Sequence, residues 1–163
     1  MSDGIGFLGQ LEHQRLDDLL VAYLREASVR TVLLLDRAGR LITQAGEQGA
    51  FDVTTFASLA AADFAAGDPL AVLLGEREFA SLYHHGEQQS MFLADIDERA
   101  ILAALFDSST TLGLVRVMSR KYVPQFGSVF EDIAKHGATG EQVPMDAEWV
   151  EEVESEIDRL FSE

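Results

Sequence analysis

The chain has 163 residues, 47% of them hydrophobic, with no cysteine and a formal net charge of −16. That length and apolar content hold one domain with a real core and a modest appendage, and they exclude disorder throughout. The lack of thiols excludes a disulfide framework and any thiolate metal site and suits a cytoplasmic location, while the negative charge opposes binding to nucleic-acid backbones and anionic membrane surfaces. Residues 1–10 carry neither a basic start nor a continuous apolar stretch, so no signal peptide is expected. No uninterrupted apolar run approaches the ~18 residues that span a bilayer.

Leu8, Leu11, Leu16, Leu19, Leu20, Tyr23 and Leu24 recur at helical spacing and predict an amphipathic helix over roughly residues 6–27. The apolar, β-branched run at 30–36, the turn Arg37-Ala-Gly39-Arg40 and the short run at 41–43 predict a hairpin, with Gly39 supplying a positive φ. Asp52 or Thr54 can then cap a helix through Ala57, Leu59, Ala60, Phe64 and Ala65. Its many alanines would let another backbone approach closely and suggest a contact surface. Gly67-Asp68-Pro69 interrupts it, because Pro69 can neither donate to residue 65 nor fit against that carbonyl. A kink or a two-piece helix is expected, with Asp68-Pro69 as an N-cap/N1 pair for a fresh turn over 70–74 that Gly75 ends.

Residues 79–84, 89–96 and 100–106 predict three strands joined by turns at 85–87 and 97–99. Beyond the caps at 107–110, Leu112, Val115, Met118, Tyr122, Phe126, Val129, Phe130 and Ile133 predict one long helix, kinked near Pro124. The division expected is a domain over 1–136, a linker over 137–145 and an acidic amphipathic helix over 146–163. The fold class is α/β of the α+β type, a five-stranded, mostly antiparallel sheet with helices on its faces. The order is α-β-β-α-β-β-β-α plus the C-terminal helix.

Chemical motifs are sparse. Gly4-Ile-Gly-Phe-Leu-Gly9 matches G-x-G-x-x-G, but no strand precedes it and no dinucleotide-binding unit surrounds it. His84 and His85 would point to opposite faces of a strand, which prevents joint metal ligation. Asp95-x-Asp97-Glu98 resembles a fragment of a calcium loop without its glycine or distal glutamate. No nucleophile and base stand at a recognisable spacing. No catalytic residue, metal or cofactor is therefore expected, and an enzyme or ligand-sensing domain using His84 or His85 is the least favoured reading.

Residues 141–163 carry nine carboxylates and one cation, Arg159. Within them Trp149, Val150, Val153, Ile157, Leu160 and Phe161 fall in helical register. A solvated charge run has no use for such a stripe. It either folds back onto its own domain or docks in a partner's groove, with its acidic flank steering it to a basic patch.

The segments Asp36-Arg-Ala-Gly39, Leu73-Leu-Gly-Glu76 and 106–116, FDSSTTLGLVR, together with the stretch ASLAAADFAAGDPLAVLLGEREF and the ending IDRLFSE, resemble the bacterial roadblock family, most of all its MglB members. The resemblance covers roughly residues 10–136, with a shorter match at the C-terminal helix. It implies a roadblock/profilin-like fold and a homodimer joined edge to edge through the third strand, with the second helices paired on one face. It also implies a small Ras-like GTPase of the MglA kind as partner. GTP hydrolysis would be stimulated by reshaping the GTPase's switch regions, without catalytic residues from this chain, in bacterial polarity or motility. By position, the GTPase face would include Ala61, Ala62, Ala65 and Ala66, and the tail contact Trp149, Val150, Val153, Ile157, Leu160 and Phe161. Pro69 departs from the family pattern within the second helix, and Pro124 near the end of the third. A roadblock scaffold that recruits partners without activating them would share all these features.

Overall fold

The computed structural model describes residues 9–138, together with residues 155–156 and 158–161. Helix α1 (Gln10–Ala27) buries Leu16, Leu20, Tyr23 and Ala27 along one stripe. It ends at Ser28, whose left-handed backbone (φ 55°) returns an N–H to the Arg25 carbonyl. It begins at Gln10; positions 6–8 of the expected helix lie outside the described residues.

Strands β1 (Thr31–Asp36) and β2 (Leu41–Gly46) form the expected hairpin, with Gly39 at φ 89°. A Cβ at Gly39 would sit 2.9 Å from the Ser58 Cα, so glycine there also lets the turn abut the next helix. That helix, α2 (Val53–Ala65), is capped by Asp52, whose carboxylate accepts from the Thr55 N–H at 3.3 Å and its hydroxyl at 2.6 Å. These bonds hold the Asp52 carboxyl below its ordinary range.

The helix breaks at Ala66, as the Gly-Asp-Pro sequence demands, and restarts as α3 (Gly67–Leu73). The restart comes before the Asp68-Pro69 pair expected to open it. Pro69 therefore occupies the third helical position, still within the first turn, where no intrahelical acceptor exists for an N–H. Strands β3 (Ser81–His84), β4 (Ser90–Ile96) and β5 (Ala100–Phe106) follow. The β4–β5 turn uses Asp97 and Glu98 at φ 51° and 59°. Helix α4 (Leu112–Ala138) runs unbroken through Pro124 and two residues past the expected domain boundary.

The sheet order is β2-β1-β5-β4-β3, with every neighbouring pair antiparallel. Central β1 and β5 are buried on both faces, which explains their unalternating apolar sequences. Helices α1 and α4 cover one face, packing on Val32, Leu34, Phe92, Ile96, Leu102 and Phe106. Helix α2 covers the other, on Leu33, Leu35, Leu93, Ile101 and Leu105. The α2–α3 segment thus carries the chain from the β2 edge to the β3 edge. In the first core the Tyr23 hydroxyl lies 3.0 Å from the Ser119 Oγ, and burial pushes its phenol up to about 12.

Candidate partner-binding surface

Helix α2 turns Ala57, Ala60, Ala61 and Phe64 into the sheet. Its opposite side carries exposed Leu59, Ala62, Ala65 and Ala66. Positions 59, 62, 66, 70 and 73 follow at three- and four-residue steps, so the apolar row continues across the break into α3. Leu59, Leu70, Leu73 and Leu74 are 66%, 57%, 81% and 73% exposed. Leucines scattered singly on a surface are ordinary, but a row of leucines and alanines along two successive helices is a contiguous apolar patch of the kind that marks a protein contact. Of the four alanines expected on the GTPase face, Ala62, Ala65 and Ala66 are exposed on this side of the helix. Ala61 is not: it is 5% exposed and packs in the core beneath α2, because it falls one helical step toward the sheet. Leu59, Leu70, Leu73 and Leu74 were not among the expected contact residues, although their spacing across the Gly-Asp-Pro break is visible in the sequence.

Fixed polar groups frame this surface. The His84 Nε2 on β3 lies 2.6 Å from the Asp63 Oδ2, tying α2 to the sheet edge. The Arg37 guanidinium lies over the Phe64 ring at 5.1 Å and pairs with Asp95. A recess of about 560 Å³ opens at the helix break, between Arg37, Ala65, Pro69, Val72 and Arg77. At its rim, burial and the nearby Glu98 and Asp95 carboxylates hold the Glu78 carboxyl above its ordinary range.

Taken as one stretch, Val53–Leu73 is long and apolar enough, by length and composition alone, to cross a bilayer. The structure divides it into two helices and packs one side of α2 on the sheet. The neighbouring histidines point apart as expected: His85 Nδ1 lies 3.0 Å from the Tyr83 hydroxyl and 3.4 Å from the Ser90 Oγ, away from the His84–Asp63 pair. The Asp95–Glu98 segment is a hairpin end, with the Asp95 carboxylate accepting the Glu98 N–H at 3.1 Å. Among the described residues no group of three or more His, Asp or Glu side chains is placed to hold a metal ion. Gly4 and Gly6 of the glycine motif lie outside the described residues, as do Trp149, Val150, Val153 and Ile157 of the tail. Leu160 and Phe161 are described, 77% and 84% exposed.

Residues 15–106 match the Roadblock/LC7 domain. The chain belongs to this family. Among solved structures it is similar to Myxococcus xanthus MglB, at 32% identity and a TM-score of 0.73 over 78% of this chain and 96% of that one. It is also similar to the gliding protein MglB of Thermus thermophilus, at 30% identity and a TM-score of 0.71 over 77% of this chain and 95% of that one. A further MglB, described as having a tetrameric arrangement, matches at 29% identity and a TM-score of 0.73, over 77% of this chain and 95% of that one. Within the roadblock family the chain is therefore MglB-like. Acanthamoeba castellanii profilin IA shares the fold alone, at 13% identity and a TM-score of 0.51 over 71% of this chain and 96% of profilin. Among the curated proteins no sequence matches significantly.

Proposed function

We propose that the protein is a homodimeric regulator of a small Ras-like GTPase of the MglA kind, stimulating GTP hydrolysis in the cytoplasm as part of bacterial polarity or motility. The observation that carries this reading is the exposed leucine–alanine row of α2–α3 on an MglB-like fold. Small side chains allow close backbone approach, and the flanking leucines supply apolar area at modest entropic cost. The chain would act by holding the GTPase's switch regions in a hydrolysis-competent arrangement, with the residues of the GTPase doing the chemistry. The acidic C-terminal segment would make the second contact, through Trp149, Val150, Val153, Ile157, Leu160 and Phe161. The alternative, a scaffold that binds without activating, differs only in turnover.

The test pairs binding with GTP turnover for an MglA-like GTPase. Ala62→Arg and Ala66→Arg place a bulky charge where desolvation is expected, so each should weaken binding at least tenfold and abolish stimulation. The circular dichroism spectrum should not change, because both positions are exposed in the protomer, and light scattering that shows the variants still dimeric assigns the lost binding to the GTPase contact. Normal affinity in both variants moves the contact off this face. Binding with no acceleration of hydrolysis by the wild type establishes the scaffold.

A further inference from the structure

A second surface lies on the face of the sheet opposite α2. A groove of about 320 Å³ runs between α4 and the β3–β4 edge, with Phe92, Ala94, Val123 and Pro124 as apolar walls, Arg116 and Arg120 on its rim, and Asp95, already paired with Arg37, also in its lining. Phe92 and Ala94 belong to the core beneath α1 and α4, which fixes the face on which the groove opens. Arg116 and Arg120 are exposed, one turn apart, and make no ion pair among the described residues. In a chain of net charge −16, two neighbouring arginines without a carboxylate are conspicuous. Arg15, Arg30, Arg37, Arg40 and Arg77 each have one; Arg25 and Arg99 have none among the described residues, but Arg99 is held by the Phe130 carbonyl, and neither lines this groove.

We propose that this groove is the docking site of the chain's own acidic C-terminal segment, residues 141–163. Two arguments select that occupant. The first is complementarity. Glu148, Glu152 and Glu156 recur every four residues, beside an apolar row Trp149, Val153 and Ile157 of the same period. Arg116 and Arg120 have that spacing too, beside the apolar walls. The second is reach. The described part of α4 runs to Ala138, and the return from there to Arg120 is about 27 Å at ~1.5 Å per residue. Residues 139–147, if drawn out at ~3.3 Å each, cover about 30 Å and would bring Glu148 and Trp149 to the groove. The docking itself is independent of any GTPase. Its regulatory meaning rests on the function proposed above: a tail held against α4 is withheld from the partner until the partner competes for it.

Trp149 is the only tryptophan in the chain, so its fluorescence reports the tail directly. The experiment uses the full-length protein without any GTPase. At low salt the wild type should show blue-shifted emission and weak acrylamide quenching. Arg116→Glu with Arg120→Glu should red-shift the emission and raise the quenching constant several-fold, with unchanged circular dichroism and melting temperature. Arg116→Lys with Arg120→Lys should keep most of the shielding. Raising salt to about 1 M on the wild type should move the signal toward that of the charge-reversed variant, since exposed ion pairs are screened. Equal quenching in the wild type and the charge-reversed variant, whether shielded or open in both, overturns the proposal. If the reversed variant does not fold, wild-type quenching that ignores salt overturns it as well.

Discussion

Single carboxylates set the acid–base behaviour of this fold, and their environments push in opposite directions. The Asp107 carboxyl is lowered to about 2, first by hydrogen bonds from the Ser109 hydroxyl and N–H and then by Arg30. A lowered folded-state value contributes stability above the unfolded-state value and loses it as pH falls through about 2. Glu78 is the reverse case, raised by burial and by Glu98 and Asp95. Its contribution is fully favourable below the ordinary carboxylate value and disappears as pH rises through the folded one, so ionised Glu78 opposes folding at neutral pH. Glu78→Gln should therefore raise the melting temperature at pH 7 and leave it nearly unchanged at pH 4. An equal gain at both values would place the cause in packing and not in charge. Asp107→Asn should show the opposite sign, a loss at pH 7 that fades toward pH 2. The Asp52 cap could be read from the sequence because capping is local chemistry. The Glu78 effect could not, since Glu98 and Asp95 reach it only through the β4–β5 hairpin.

Among the elements, periodicity located the helices and strands, and local chemistry blurred their ends. The turn expected at 97–99 is present, but Asp97 and Glu98 both adopt positive φ without glycine, a conformation that residue preferences alone do not announce. Residues 79 and 80 look like strand but precede β3, which pairs only from Ser81. Ala61, assigned to the contact face by position in the resemblance, packs against the sheet instead, because it falls one helical step from the exposed row. The Gly-Asp-Pro break was legible because proline acts on its own helix. Pro124 tests that same rule from the other side: it sits inside α4, where it leaves one carbonyl without its helical donor. The helix survives because Tyr122, Phe126, Val129 and Phe130 are buried around it. Pro124 itself is exposed, so Pro124→Ala should restore the missing bond and stabilise the fold by on the order of 1–3 kcal/mol. Denaturant melts would check this, and no gain would show that the surrounding packing already offsets the lost bond.

At the scale of the whole molecule, strand β3 is an open edge and the α2–α3 row is an open apolar face, and both lie near Asp63 and His84. Exposed edges and leucine rows are seldom left bare. The expected outcome is a dimer formed through both, and light scattering that finds only monomer at tens of micromolar would refute it. The sheet class was within reach of the sequence, because strand count and helix order follow from pattern, and the family through the segments that resemble it. The sheet order was not, because nothing local says that β1 pairs with β5.

That pairing has a consequence for how the chain comes into being. Thr31 meets Leu105 and Asp36 meets Ala100, so the central seam of the sheet joins the first strand made to the last. At ~5–20 residues per second of synthesis, the β1–β2 hairpin waits about 3–12 s for its partner strand. Throughout that wait the Val32–Leu35 run (residues 32–35), fully buried in the finished sheet, offers an unpaired apolar edge. The nascent chain is therefore most prone to aggregate before β5 emerges, and a pause in translation between residues 46 and 100 would lengthen its exposure.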